Sequence, residues 1–495
     1  MLGLASISMF MGTLDATIVA VALPVLSPSL GLSYSEALWV QAGYLLLLSV
    51  LLIPIGRLAD ARGLVRFFLL GTAVFGVFSL ACALSFDGAF LIVARCLQGA
   101  GAAFLSATAP ALVTTAFPPE ERGRGLGLNA MAGYLGLMAG PPLGGLIATH
   151  AGWRWIFLIN IPIAIIVSAA GWFMLGAEKR DRAAVAGRSS GARPPGGPQS
   201  SRAVSGLDWR GSALLGALLA SLLVPLIFVP FWGWRSPQTL GLLVAFVVLL
   251  VAFVLVEGRV RDPVLDLDLV RHNRAFAAGN FAALLNYAAV YGITVFTAVF
   301  LEVAQGYSAQ RAGLILLIQP TFMAGLSPLF GRLSDRMGSR VLATGGMLLG
   351  AVGMVQLATL PESRAAWRVL LALGTVGIGM AAFSSPNTSA VMGSVKRSQL
   401  SLASGFLGTM RSAGQGISVA LLGAIAASGL GATGGRVLFL GEKASKAAAS
   451  EFAGGYRTAM FLAMGLAVVG AAVSLVRGQP TELHSNHEAS ERRGQ

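Results

Sequence analysis

GRLADARGLVR, residues Gly56–Arg66, returns 275 positions later as GRLSDRMGSR, residues Gly331–Arg340. Each copy follows an apolar stretch of helical length, so the chain reads as two related halves. A weaker echo sets Gly125–Met131 against Gly405–Arg411 at an offset of 280, which gives the fifth and thirteenth apolar segments corresponding places.

Composition agrees with a chain built for lipid. Apolar residues make up 55% of 495 and charged residues only 11%, against roughly 25% charged in a soluble domain. Mean hydropathy is +0.75. A bilayer core of about 30 Å needs roughly 20 apolar residues per helix, and windows of that kind number fourteen, from Met1–Leu26 to Thr458–Val476. Among them are Leu126–Thr149 (helix 5), Ala277–Leu301 (helix 9) and Leu402–Ala427 (helix 13). The first run lacks the basic region and cleavage site of a secretory signal and is expected to remain as helix 1. The expected fold class is an all-α integral membrane protein. Its parts are a six-helix bundle over 1–176, a linker over 177–208 rich in Arg, Gly, Ser and Pro, and two inserted helices (7 and 8) over 209–257. A second six-helix bundle spans 275–477 and a polar tail 478–495.

A net charge of +14 does not signal nucleic acid once the basic residues are placed between spans. With the N-terminus inside, 24 of 35 Lys and Arg fall in cytoplasmic loops and tail, as the positive-inside rule requires. Both termini are thus expected in the cytoplasm. The dissenting loop, Leu430–Tyr456, holds Arg436, Lys443 and Lys446 outside. Cys82 and Cys96 lie inside predicted helices and imply no disulfide framework.

Five motifs stand in order along the spans. Helix 1 contains LDATIVAVALP (Leu14–Pro24), and helix 2 runs into GRLADARGLVR. Helix 4 contains LIVARCLQGAGAA (Leu91–Ala103), helix 5 GYLGLMAGPPLGG (Gly133–Gly145), and helix 6 opens with WRWIFLINIP (Trp153–Pro162). Together they resemble the 14-spanning drug:proton antiporters of the major facilitator superfamily, the EmrB/QacA type. The resemblance implies a major facilitator fold of 14 transmembrane helices and export of lipophilic solutes from a bacterial inner membrane. Ala20 departs from it, since the family's helix-1 motif usually has Asn there.

Asp15 has the sharpest chemical case. An acid halfway along an apolar helix costs roughly 2.5–3.5 kcal/mol to insert, so it must face a cavity or a partner. It is the candidate proton carrier; the alternative is an aspartate satisfied by Thr13 or Thr17. Arg95 in helix 4 keeps its charge at any relevant pH and must be paired or hydrated. The resemblance gives it a role in proton coupling with Gln98 and Gly99 beside it, whereas a structural anchor on backbone carbonyls is the plainer alternative. Around the repeated loop, Gly56 and Gly63 permit a tight turn, while Asp60, Arg62 and Arg66, with Asp335 in the second copy, can form a surface charge cluster. In the family such a cluster acts as a conformational latch. On helix 5, Gly133, Gly136, Gly140 and Gly144 share one face, with Gly145 beside them and Pro141–Pro142 adding a kink. In the superfamily that pattern marks antiporters and is read as a seal between bundles; a packing seam is the alternative.

Candidate cavity residues are Gln41, Tyr44, Gln98, Asn129, Asn286, Tyr287, Tyr291, Gln319, Asn387 and Arg411, each also explicable as an interhelical contact or anchor. Gln319 and Arg411 stand where some cation-exporting relatives have acids, which argues against dicationic substrates. No phosphate-binding GxxxxGK[ST] segment and no histidine cluster occurs. Enzyme chemistry, cofactors and metals are therefore not expected, and an ion gradient must supply the energy. Protons are favoured over sodium because one acid and two arginines inside the spans offer too few oxygens for a sodium cage. The expected partners are the lipid bilayer, protons and a lipophilic small molecule, with a periplasmic adaptor left open. A nutrient symporter, or a membrane sensor or assembly protein without transport, remains the alternative.

Overall fold

A computed structural model describes residues 1–116, 122–173, 209–260, 267–395, 400–427 and 446–476. The expected linker and C-terminal tail, and most of the basic loop Leu430–Tyr456, lie outside the described residues. Those described are almost entirely helical, with no strand among them. The long helices are α1 (Leu2–Ser29), α2 (Tyr34–Arg62), α3 (Leu64–Ala83), α4 (Gly88–Ala116) and α5 (Arg122–His150). They continue with α6 (Trp155–Phe173), α7 (Trp209–Trp232), α8 (Pro237–Glu257) and α9 (Arg274–Ala304, ending in a π-helical turn). The last five are α10 (Ala309–Met337, broken at Leu317), α11 (Ser339–Ala358), α12 (Ala366–Gly393), α13 (Leu400–Ala426) and α14 (Lys446–Leu475). Thirteen are long and apolar enough to cross a bilayer. α13 is as long but broken up by Ser, Gly, Gln and Arg, and its 27 residues pack into the assembly.

Local chemistry sets the boundaries. Ser33 and Glu36 form a reciprocal capping box at the start of α2, and Ser236, Asn273 and Ser308 cap α8, α9 and α10 through their side-chain oxygens. The two copies of the opening motif end alike. Gly63 (φ 112°) and Gly338 (φ 83°), seven residues into each copy, turn α2 into α3 and α10 into α11 in a backbone region that other residues enter only with strain.

α1 to α6 pack on one another, as do α9 to α14. The two groups meet where α2 lies along α13, and where α5 and α1 face α10 and α9. α7 bridges α2 and α13, while α8 packs on α7 and leaves Leu240, Val244, Val247, Val248, Val251 and Leu255 exposed. Apolar side chains thus cover the outside and polar ones collect within, the arrangement a lipid solvent favours.

Small residues let the helices approach to backbone contact. A Cβ added at Gly379 would lie 2.5 Å from the Gly346 carbonyl oxygen and 2.6 Å from the Gly350 nitrogen; one at Gly346 would lie 2.6 Å from the Gly379 carbonyl oxygen. Gly379→Val should therefore force α11 and α12 apart, at a cost of about 1–3 kcal/mol or more, typical of overpacking. The expected result is a lowered melting temperature and a loss of monodisperse protein on size exclusion; an unchanged melting curve would refute this tight seam.

Candidate functional site

Asp15 sits midway along α1 with no exposed surface, and four neighbouring helices supply or shape what holds it. From α4, Arg95 Nη1 donates to Asp15 Oδ2 at 2.6 Å and Gln98 Nε2 donates to Oδ1 at 3.0 Å. Three residues apart, Arg95 and Gln98 share one helical face. From α6, Asn160 Nδ2 donates to Oδ1 at 2.8 Å. α3 and α2 complete the shell: Gln98 Nε2 also donates to Ser79 Oγ at 2.7 Å, and Arg95 Nε donates to the Val40 carbonyl at 3.1 Å. The guanidinium lies 4.3 Å from the Tyr44 ring centroid and 5.8 Å from that of Phe157, close enough for cation–π attraction.

The cluster is a fully buried ion pair with neutral hydrogen-bonding ligands. Desolvating two such charges is expensive, and the pair persists because each lobe of the carboxylate is bonded. Arg95 Nη2 and Asn160 Oδ1 have no hydrogen-bond partner. Thr13 and Thr17 do not reach the acid. Their hydroxyls donate to carbonyls of α1, and Thr13 Oγ1 also to the Gly133 carbonyl at 2.9 Å.

One residue along, the Ala16 carbonyl joins the two halves of the molecule. It accepts from Gln41 Nε2 of α2 at 2.8 Å and from Tyr291 Oη of α9 at 3.0 Å, and Gln41 also donates to Tyr291 Oη at 2.8 Å. Tyr291 in turn lines a cleft between the halves, of ≈ 640 Å³ with its mouth included. Ala16, Thr17 and Ala20 line it from α1, Tyr287 from α9, and Gln319 and Gln415 from α10 and α13. Its wall is chiefly apolar with a few polar groups, the usual make-up of a small-molecule site.

Of the ten expected cavity residues, Tyr287, Tyr291 and Gln319 line the cleft. Tyr44 and Gln98 belong instead to the Asp15 shell, because α2 and α4 turn them into the first bundle. Gln41 bridges at Ala16. Asn129, Asn286 and Asn387 are buried and do not line the cleft, Asn286 standing behind the lining residue Met380 with its Nδ2 2.9 Å from Met380 Sδ. Arg411 is not in the lining, but it stacks on Tyr287, which is, at 5.2 Å from the ring centroid.

The helix-5 glycines face α1. A Cβ at Gly136 or Gly140 would collide with Thr13 or Thr17, one at Gly133 would lie 3.2 Å from Met9, and one at Gly144 would lie 2.8 Å from the Ile18 carbonyl oxygen. Gly145 is buried beside Gly144. They form a seam within the first bundle, and contact with the other bundle passes to Pro141–Pro142, which abut Gly313 of α10. At the repeated loop, Gly56 lies inside α2 and not in the turn, and a Cβ added to it would come 3.8 Å from Ala107 Cβ; Arg62 and Arg66 are exposed, and the side chains of Asp60 and Asp335 lie outside the described residues.

Sequence reasoning missed Gln415 of the cleft lining and three residues elsewhere. Asn160 and Ser79 complete the Asp15 shell; Asn160 stands in a quoted motif, and only its reach across 145 residues distinguishes it from an interfacial amide. Glu302 adds a second acid to the expected set of one acid and two arginines. Helix 9 was expected to stop at Leu301, but it continues through the π-turn Phe300–Ala304, where Glu302 Oε1 is buried without a hydrogen-bond partner.

Comparison with known proteins agrees with this architecture. The Major Facilitator Superfamily model matches residues 5–207, 202–419 and 279–494. Multidrug resistance protein Stp of Mycobacterium tuberculosis is 33% identical over 428 residues, covering 86% of this chain and 75% of Stp. The tetracenomycin C resistance and export protein of Streptomyces glaucescens is 30% identical over 426 residues (86% and 75%), and the riboflavin transporter RibZ of Clostridioides difficile is 29% identical over 405 residues (82% and 83%). Among solved structures, a bacterial homologue of the human lysosomal transporter Spinster, inward-facing and occupied, superposes with a TM-score of 0.67 at 16% identity, over 97% of this chain and 98% of that one.

Proposed function

This chain belongs to the Major Facilitator Superfamily, and from that premise we propose that it is a proton-coupled antiporter of the 14-spanning drug:proton type, exporting lipophilic small molecules by alternating access. The observation that carries the reading is the buried Asp15–Arg95 pair one residue from the Ala16–Tyr291 bridge. Proton site and solute cleft thereby share a single turn of α1.

The chemistry follows from the pair. While Asp15 is ionised, Arg95, Gln98 and Asn160 all donate to it. A proton on the carboxyl removes the Coulomb attraction to Arg95 and converts an acceptor into a donor. Asn160 Oδ1, unpartnered here, is the acceptor that a rotated amide presents to it. α1 is then free to shift against Gln41 and Tyr291, and with it the contact between the halves. With both termini cytoplasmic, the end where Gly313 meets Pro141 is the outer one, and the cycle must open it to release solute. Rocking of α1–α6 against α9–α14 would carry the solute out and the proton in. The protein needs no cofactor in this cycle, and its energy source is the proton gradient of a bacterial inner membrane. Stp and the tetracenomycin exporter, resistance proteins by name, support the export direction. RibZ, a vitamin transporter by name, supports uptake as the second reading.

Inside-out vesicles energised to an acid interior distinguish the two. Addition of a lipophilic drug or dye that is a substrate should release protons from the lumen, read as dequenching of a pH-sensitive dye. Further acidification of the lumen would instead mark symport, and absence of any proton movement with a transported compound would refute coupling.

A further inference from the structure

Arg411 lies near the middle of α13, which brings a permanent positive charge to membrane depth. Among the described residues no carboxylate pairs with it. Its Nε is buried without a hydrogen-bond partner, and the Tyr287 ring centroid lies 5.2 Å from its guanidinium carbon. Arg95, also at membrane depth, is neutralised by Asp15; among the described residues Arg411 has no such counter-charge. Intramembrane charges are tolerated where they pair or meet a polar cavity, and Arg411 stands at the edge of one. Tyr287 beneath it and Gln415, one helical turn further along α13, both line the cleft. The lining itself contains no charged residue, so an incoming cation meets no carboxylate there, while an incoming anion finds an uncompensated guanidinium with a planar set of donors.

We propose that the cleft takes a lipophilic monoanion, an aryl or polycyclic carboxylate or an ionised phenol, whose acidic group pairs with Arg411 while its apolar body lies against Tyr287, Met323 and Met380. This rests on the reading of the cleft as the solute site and names its substrate class. Tyr287, in the lining, holds the guanidinium at the edge of the cleft, 5.2 Å from its ring centroid. The uncharged polar groups Gln319 and Gln415 add hydrogen bonds without rejecting negative charge.

The test is binding of three fluorescent probes that differ only in one terminal group, 1-pyrenebutyrate, its primary amide and 1-pyrenebutylammonium. Each is measured by equilibrium dialysis against the full-length protein in detergent at neutral pH, with empty micelles as blank. The carboxylate is expected to bind at least about tenfold more tightly than the amide, as a charge-assisted pair requires, and the ammonium most weakly. Arg411→Gln should bring the carboxylate to the level of the amide and leave amide binding unchanged, which also shows that the variant is folded. Arg411→Lys should retain part of the preference. Equal binding of carboxylate and amide by the wild type, or a preference that survives in Arg411→Gln, overturns the proposal. No gradient enters the measurement, so proton-coupled export stands or falls separately by the vesicle assay.

Discussion

Asp15→Asn is expected to abolish compound-driven proton movement in inside-out vesicles, the largest functional effect in the molecule. The substitution removes the acid and leaves the Arg95 guanidinium buried without a counter-charge. Breaking one side of a buried pair commonly costs about 3–5 kcal/mol, so a silent Asp15→Asn protein could simply be a poorly folded one. The double variant Asp15→Asn/Arg95→Gln separates the two causes, because it removes both charges together. It should recover wild-type yield and melting temperature, retain solute binding and still move no protons. Proton movement that survives in a folded Asp15→Asn protein would place the carrier elsewhere, with Glu302 as the next acid to substitute.

Gly313→Val should trap the protein open at the end of the cleft that is closed here. A Cβ at Gly313 would collide with the Pro141 carbonyl oxygen and lie 3.4 Å from Pro142 Cα, and this is backbone that cannot rotate aside. Overpacking of about 1–3 kcal/mol on one of two states alters their ratio roughly 5–150-fold. The measurement is labelling of a single cysteine at the cleft-lining position Thr294, in a background with Cys82 and Cys96 replaced by Ala, using an impermeant maleimide applied from the Gly313 side. Labelling should rise by that order in Gly313→Val, and transport should stall. Labelling unchanged from the Gly313 background would show that this contact does not hold the end shut.

Much of this was legible in the sequence because hydropathy and charge placement are one-dimensional signals. The fourteen helices, the turn at Gly63 and the isolation of Asp15 and Arg95 follow from composition along the chain. What lay hidden is the pairing of distant positions. That Arg95 is the partner of Asp15, 80 residues away, and that Asn160 reaches the same carboxylate, depends on helix rotation, which apolar surroundings on all sides do not encode. For the same reason Tyr44 and Gln98 looked like cavity residues, and the helix-5 glycines read as a seal between bundles until α1 was placed against them. Glu302 escaped through a boundary effect. A π-turn lengthens α9 by a few residues beyond the last clear apolar run, and helix ends are where sequence patterns are weakest.

The composition of α13 bears on how the chain is made. A segment that holds an arginine at its centre, at about 2.5–3.5 kcal/mol on insertion scales, and that is more broken by polar and small residues than its neighbours, has little drive to partition alone into lipid during synthesis. Its groove is already waiting. Of the helices that pack on it in the finished structure, α2, α7, α9 and α12 precede it in the chain and only α14 follows, so most of its groove is in place when α13 enters the bilayer. Biogenesis is then ordered by sequence position, and deletion of α7 should compromise membrane integration of a segment nearly two hundred residues downstream of its start.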